Sequence, residues 1–155
     1  MTSRREWLRY TLTGAATLVA FRELPALSLA PVKLSVYKSP TCGCCQQWVE
    51  YMKRSAFVVE THDVSDDRLG DIKSTAGVPA GLRSCHVALS GPYAFEGHVP
   101  ADLVTKVLKE KPVLLGLAVP GMPLGSPGME AGGRKDRYDV VAFAKNGKTW
   151  VYASR

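Results

Sequence analysis

The sequence has little that would mark the commoner enzyme classes. It has no glycine-rich phosphate loop before a helix, no H-E-x-x-H and no G-x-S-x-G. These absences argue against nucleotide use, zinc proteolysis and serine hydrolysis. Nor is there a long Lys/Arg block interleaved with aromatics, which argues against nucleic acid as a partner. At 46% hydrophobic and 22% charged residues the composition is close to the globular average, so disorder, a collagen-like fibre and a multispanning membrane protein are poor readings. The 155 residues suit one domain with one core. The formal net charge of +6 falls to +4 without Arg4, Arg5, Arg9, Arg22, Glu6 and Glu23, all within the first 30 residues. The four cysteines say more than the charge does.

Residues 1–30 read as an address. Ser3-Arg4-Arg5 with Trp7-Leu8 and Arg9 resembles a twin-arginine signal, and the uncharged run Tyr10 to Phe21 follows as its apolar region. As a helix that run rises only about 18 Å, short of a hydrocarbon core of about 30 Å, so a transmembrane span is the weaker reading. Ser28-Leu29-Ala30 has the form of a cleavage site, with processing after Ala26 or retention as a membrane anchor as alternatives. The expected compartment is the periplasm, where disulfides persist.

Residues 31–155 form the expected folded domain. Lys33 to Lys38 alternates as a strand, and Trp48, Val49, Tyr51 and Met52 place an amphipathic helix over 46–55, opening at or just inside a cysteine cluster. Phe57 to Glu60 is a second strand candidate. Asp66 to Thr75 is a second helix with acids in its first turn. After a break at Gly77-Val78-Pro79, His86 to Leu89 and Tyr93 to Glu96 read as a hairpin, and Pro100 to Glu110 as a last helix. The resulting β-α-β-α-β-β-α order is thioredoxin-like, an α/β fold. Residues 116–133 are dense in Gly and Pro and read as a long shaped loop. Tyr138 to Phe143 and Thr149 to Tyr152, hinged on Asn146-Gly147, read as a closing hairpin.

Four constellations carry chemistry. In Thr41-Cys42-Gly43-Cys44-Cys45, Cys42 and Cys45 form a C-x-x-C at a helix N-terminus, where unpaired N–H groups favour a thiolate. Cys44 is superfluous for dithiol exchange, but a soft metal would use it. In Ser84-Cys85-His86 a thiol stands beside an imidazole, on a segment that a thioredoxin-like layout brings close to the C-x-x-C. Soft thiolate and thioether ligands select Cu(I), and imidazole suits copper and zinc alike. Glu96-Gly97-His98 places another imidazole at the entry to the last helix, and Met122 and Met129 stand in the Gly/Pro loop as thioether candidates. The competing readings are a capping histidine at His98 and methionines that pack the loop onto the body. His62 and Met52 read as structural.

Taken together, V-Y-K-S-P-T-C-G-C-C-Q-Q-W, G-V-P-A-G-L-R-S-C-H, E-G-H-V-P-A and G-L-A-V-P-G-M-P-L-G-S-P-G-M-E resemble the exported copper-resistance proteins of CopG type, over about residues 33–152. The resemblance implies a thioredoxin-like fold, copper bound through the cysteines and nearby ligands, and a redox role in periplasmic copper handling.

The leading expectation is therefore a copper-binding protein. Cys42, Cys45 and Cys85 form its sulfur core, Cys44 and His86 come next, and His98, Met122 and Met129 form a second tier. The rival is a thiol–disulfide oxidoreductase with Cys42 attacking, Cys45 resolving and Pro79 as a cis-proline beside them. A third reading is a module delivering metal to a periplasmic metal-handling or efflux partner, with the loop at 116–130 as its docking surface.

Overall fold

A computed structural model describes residues 31–130 and 132–155; the export signal expected in residues 1–30 lies outside them. Strand β1 (Lys33–Lys38) buries Leu34, Val36 and Lys38 on alternate positions, as its pattern dictates. Helix α1 (Gly43–Arg54) follows with Cys45, Trp48, Val49 and Met52 buried, the i, i+3, i+4, i+7 stripe of a core-facing helix, and with Lys53 and Arg54 in its last turn. It starts at the residue after Cys42, so Cys44 and Cys45 are helical and Cys42 is the N-cap. After β2 (Val58–Asp63) comes α2 (Asp66–Thr75), capped by the Ser65 hydroxyl, which accepts the Arg68 N–H. A short 3₁₀ turn (Ala80–Leu82) leads into β3 (His86–Ser90), β4 (Tyr93–Gly97) and α3 (Ala101–Glu110).

These elements give the β-α-β-α-β-β-α order with strands paired 2-1-3-4: β1 parallel to β2, and β3 antiparallel to both β1 and β4. This is the thioredoxin-like arrangement. One element departs from the sequence reading. Gly116–Val119, assigned above to the loop, is strand β5, and it pairs parallel with β4. All four of its residues are buried, so its apolar run shows no alternation, and Gly/Pro density in the following residues masks it. Strand β5 also pairs antiparallel with β6 (Asp139–Phe143), and β6 with β7 (Thr149–Ser154) across the expected Asn146-Gly147 turn. The hairpin therefore extends the core sheet, giving one sheet of seven strands in the order 2-1-3-4-5-6-7.

Helices α1 and α3 cover one face, where Leu34, Val36, Trp48, Phe95, Val104, Val107 and Leu117 form the larger core. Helix α2 covers the other, where Leu69 and Val78 meet Val87, Ala94, Ala118 and Phe143. The C-terminal ends of β1, β4 and β5 and the N-terminal end of β3 all open at the same edge of the sheet. Every cysteine lies at that edge, in loops or helix starts rather than within a strand. Among the described residues, no helix is long and apolar enough to cross a membrane.

Candidate metal centre

The turn from β1 into α1 makes the first half of the site. The Cys42 Sγ accepts the Cys45 N–H at 3.3 Å, so the sulfur occupies the position where a helix offers unpaired donors. Cys42 and Cys45 are joined by a disulfide, which leaves Cys44 and Cys85 as the free thiols. Cys45 is fully buried on the core stripe of α1; Cys44, one position earlier, is half-buried.

The segment ahead of β3 supplies the second half. The Cys85 Sγ is 3.9 Å from the Cys44 Sγ, which is in turn 3.6 Å from the Cys42 Sγ. All four sulfurs lie within 4.8 Å of one another. Sulfur atoms 41 positions apart in the chain thus converge. Cys85 belongs to a second cluster as well, with His86 and His98. Its Sγ stands 3.4 Å from His86 Nδ1 and 3.3 Å from His98 Nε2.

The imidazoles are oriented from outside the cluster. His98 Nδ1 is 2.7 Å from the Pro127 carbonyl oxygen. A carbonyl only accepts, so Nδ1 carries the proton and the lone pair of Nε2 faces Cys85. This contact pins the Gly/Pro loop to the site. The same loop is tied internally by Gly125 N–H to the Met129 carbonyl (3.0 Å) and by the Ser126 hydroxyl to the Pro123 carbonyl (2.7 Å). His86 is fully buried against Trp48, with ring centroids 4.6 Å apart, and its Nε2 has no hydrogen-bond partner among the described residues.

Burial dominates the electrostatics. It pushes the Cys85 thiol up to about 12, helped by the neighbouring Cys44. It holds the His86 imidazole well below its ordinary range, with His98 and Lys73 adding repulsion, and lowers His98 against the opposing pull of Pro127 and Glu130. Without metal, the centre is therefore a neutral thiol facing neutral imidazoles.

Sequence reasoning missed the support behind Cys85. The buried Lys73 ammonium lies 2.7 Å from Glu96 Oε1, and the pair holds both backbone polar groups of Ser84. Glu96 Oε1 accepts the Ser84 N–H, and Lys73 donates to the Ser84 carbonyl. Burial raises the Glu96 carboxyl above its ordinary value and Lys73 partly reverses this. A buried ion pair adds little net stability; here it fixes the peptide immediately before Cys85. The signal was the charge in Tyr93-Ala94-Phe95-Glu96, a fully buried strand that demands a counter-ion.

Other expected residues fall elsewhere or keep structural roles. Met129 is half-buried at the end of the docked turn and Met122 is 39% exposed. His62 stacks on Tyr37 at 4.7 Å on the α2 side of the sheet, and Met52 is buried in the core. Pro79 is not a cis-proline: among the described residues every peptide bond is trans. The residue instead caps the 3₁₀ turn in an extended conformation that a trans bond satisfies.

Two solved structures of copper resistance protein CopG, forms 1 and 2, superpose on this chain with TM-scores of 0.75 and 0.74. They share 41% and 42% sequence identity with it, over 81% of this chain and 98% of each of theirs. The chain belongs to the CopG family. A model of a protein family of unknown function, DUF411, matches residues 82–129, a span that runs from the Ser84-Cys85-His86 segment through His98 to the docked loop. No curated protein matches the chain significantly. In chemical terms, four sulfurs and two imidazoles at one sheet edge form a soft donor set.

Proposed function

We propose that this CopG-family protein binds copper in the periplasm as part of copper handling or resistance. Its ligands are Cys44 and Cys85 with His86 and His98; Cys42 and Cys45 join as thiolates once their disulfide is reduced. Met122 and Met129 are the further thioether candidates. The observation that carries this reading is the placement of Cys85, whose one sulfur lies in both the four-cysteine cluster and the Cys85–His86–His98 cluster. Thiolates suit Cu(I), and the imidazoles accept either copper oxidation state, so a Cu(I)/Cu(II) redox role is part of the proposal. The oxidising compartment inferred from residues 1–30 agrees with a disulfide in the chain. Periplasmic metal-handling or efflux proteins are the partners this reading implies.

When bound, copper would supply one-electron chemistry. The protein's own groups do the rest: His98 presents Nε2 because Pro127 holds Nδ1, and the Lys73–Glu96 pair fixes the approach of Cys85. The test is copper analysis and copper-edge X-ray absorption on the reduced chain supplied with Cu(I). Bound copper in a mixed sulfur and nitrogen shell is expected, with at least about a tenfold loss of affinity in Cys85→Ala. Copper no higher than in a Cys42/Cys45/Cys85 triple alanine variant ends the proposal.

One observation favours a second reading, thiol–disulfide oxidoreductase: a disulfide at a helix N-terminus in a thioredoxin-like fold. Reduction of a model disulfide that persists without copper and in Cys85→Ala would select it.

A further inference from the structure

The Cys44 thiol stands between a disulfide and a second thiol, 3.6 Å from the Cys42 Sγ and 3.9 Å from the Cys85 Sγ. Copper binding does not require this order of sulfurs, and a dithiol centre does not need Cys44 at all. We propose that Cys44 relays the disulfide internally, moving it from Cys42–Cys45 to Cys44–Cys85.

The Cys44 thiolate attacks the Cys42 Sγ. The Cys42–Cys44 bond forms, the Cys42–Cys45 bond breaks, and the electron pair leaves on Cys45, which takes up the proton that Cys44 released. Cys85, its proton taken up by hydroxide at the mildly alkaline pH of the exchange, then attacks the Cys44 Sγ, 3.9 Å away. The Cys44–Cys85 bond forms, the Cys42–Cys44 bond breaks, and the pair leaves on Cys42, which takes a proton back from water. One disulfide and two thiols enter and one disulfide and two thiols leave, so no outside oxidant or reductant takes part. Cys42 is suited to be the final leaving group because its sulfur accepts the Cys45 N–H at the helix start.

The two end states expose different donors. With the bond at Cys42–Cys45, the free sulfurs are Cys44 and Cys85, the latter in contact with both histidines. With the bond at Cys44–Cys85, the sulfur shared by both clusters is consumed and the C-x-x-C is an open dithiol. That exchange would make metal retention depend on where the disulfide sits, a consequence that rests on the copper reading, whereas the relay itself does not.

The test uses the full chain, metal-free, carrying one disulfide and two thiols. After incubation over hours at mildly alkaline pH, exchange is quenched with acid and a maleimide, and tryptic peptides are mapped. Cuts after Lys38, Lys53, Arg83 and Lys106 place Cys42, Cys44 and Cys45 on one peptide and Cys85 on another, so the moved disulfide joins two peptides. The joined pair, linked through Cys44, is expected in the native protein and is expected to be lost in Cys44→Ala and Cys44→Ser, both of which keep the Cys42–Cys45 bond. A native protein in which every disulfide stays within the first peptide overturns the relay. So does a joined pair that persists in both variants, since Cys85 would then attack the C-x-x-C directly. Because no metal is present, failure of the copper reading leaves these outcomes unchanged.

Discussion

Cys85, His86 and His98 meet at contact distance with their charges suppressed, and the folded state therefore responds to pH through them. Both imidazoles are buried and titrate below the ordinary 6.5, while in the unfolded chain they regain it. Between those values the unfolded state binds more protons, so stability rises with pH and is lost as pH falls below about 6.5. Each imidazole that stays neutral contributes a slope of about 1.4 kcal/mol per pH unit. Cys85 acts at the other end: the unfolded thiol ionises near 9.0 while the folded one keeps its proton to about 12, so stability falls as pH rises above 9.0. Urea unfolding midpoints of the metal-free protein should therefore decline on both sides of a neutral plateau. A midpoint that holds steady from about pH 7 to 5 would mean that the histidines are protonated in the fold. Copper affinity should also fall on acidification, because protons compete for the thiolates and imidazoles.

The loop from 120 to 130 and helix α1 meet at Gly128. This residue has a φ of +83°, and a Cβ there would stand 2.7 Å from the Trp48 nitrogen and 3.2 Å from the Cys44 carbonyl oxygen. Gly128→Ala should therefore cost about 1–3 kcal/mol and lift Pro127 away from His98. The checks are chemical denaturation and the ring-nitrogen NMR signals of His98, which report loss of the Nδ1 hydrogen bond; an unchanged His98 signal would show that the loop does not orient it. The packing of this loop over α1 was beyond sequence reasoning, because it depends on backbone meeting backbone with no side-chain pattern to announce it. Helix α1 was legible, since Trp48, Val49 and Met52 keep a helical period whatever they pack against. The meeting of the Cys42–Cys45 turn with Cys85 was legible too, because the β-α-β-α-β-β-α order brings those two ends together. Strand β5 was hidden for the opposite reason: four residues buried on both faces have no period of their own. Lys73 was hidden because its partner is 23 positions away and its neighbours on α2 are those of a solvated helix.

At the scale of the molecule, β5 is the joint between a four-stranded thioredoxin-like unit and the β6–β7 hairpin, and the loop that docks on His98 starts where β5 ends. The hairpin therefore does more than close the chain: by pairing β6 to β5 it fixes both ends of the segment that carries Pro127 and Gly128. Gly116 is the tightest point of that joint. A Cβ there would fall on the Ala94 carbonyl oxygen of β4 and 2.6 Å from the Phe143 ring of β6, and both neighbours are held, one as backbone and one as a fully buried aromatic. Gly116→Ala should consequently open the sheet between its two parts, at a cost of about 3 kcal/mol or more. Amide hydrogen exchange can locate the damage. In the native protein, β1, β3, β4 and β6 should exchange together by global unfolding, as one continuous sheet requires. In Gly116→Ala, protection should collapse first in β5, β6 and β7 while β1 and β3 retain theirs, and the Pro127 contact to His98 should weaken with it. Uniform loss of protection across all seven strands would instead show that the joint and the thioredoxin-like unit have no separate stability, and that the hairpin is part of the core on which the cysteine edge is built.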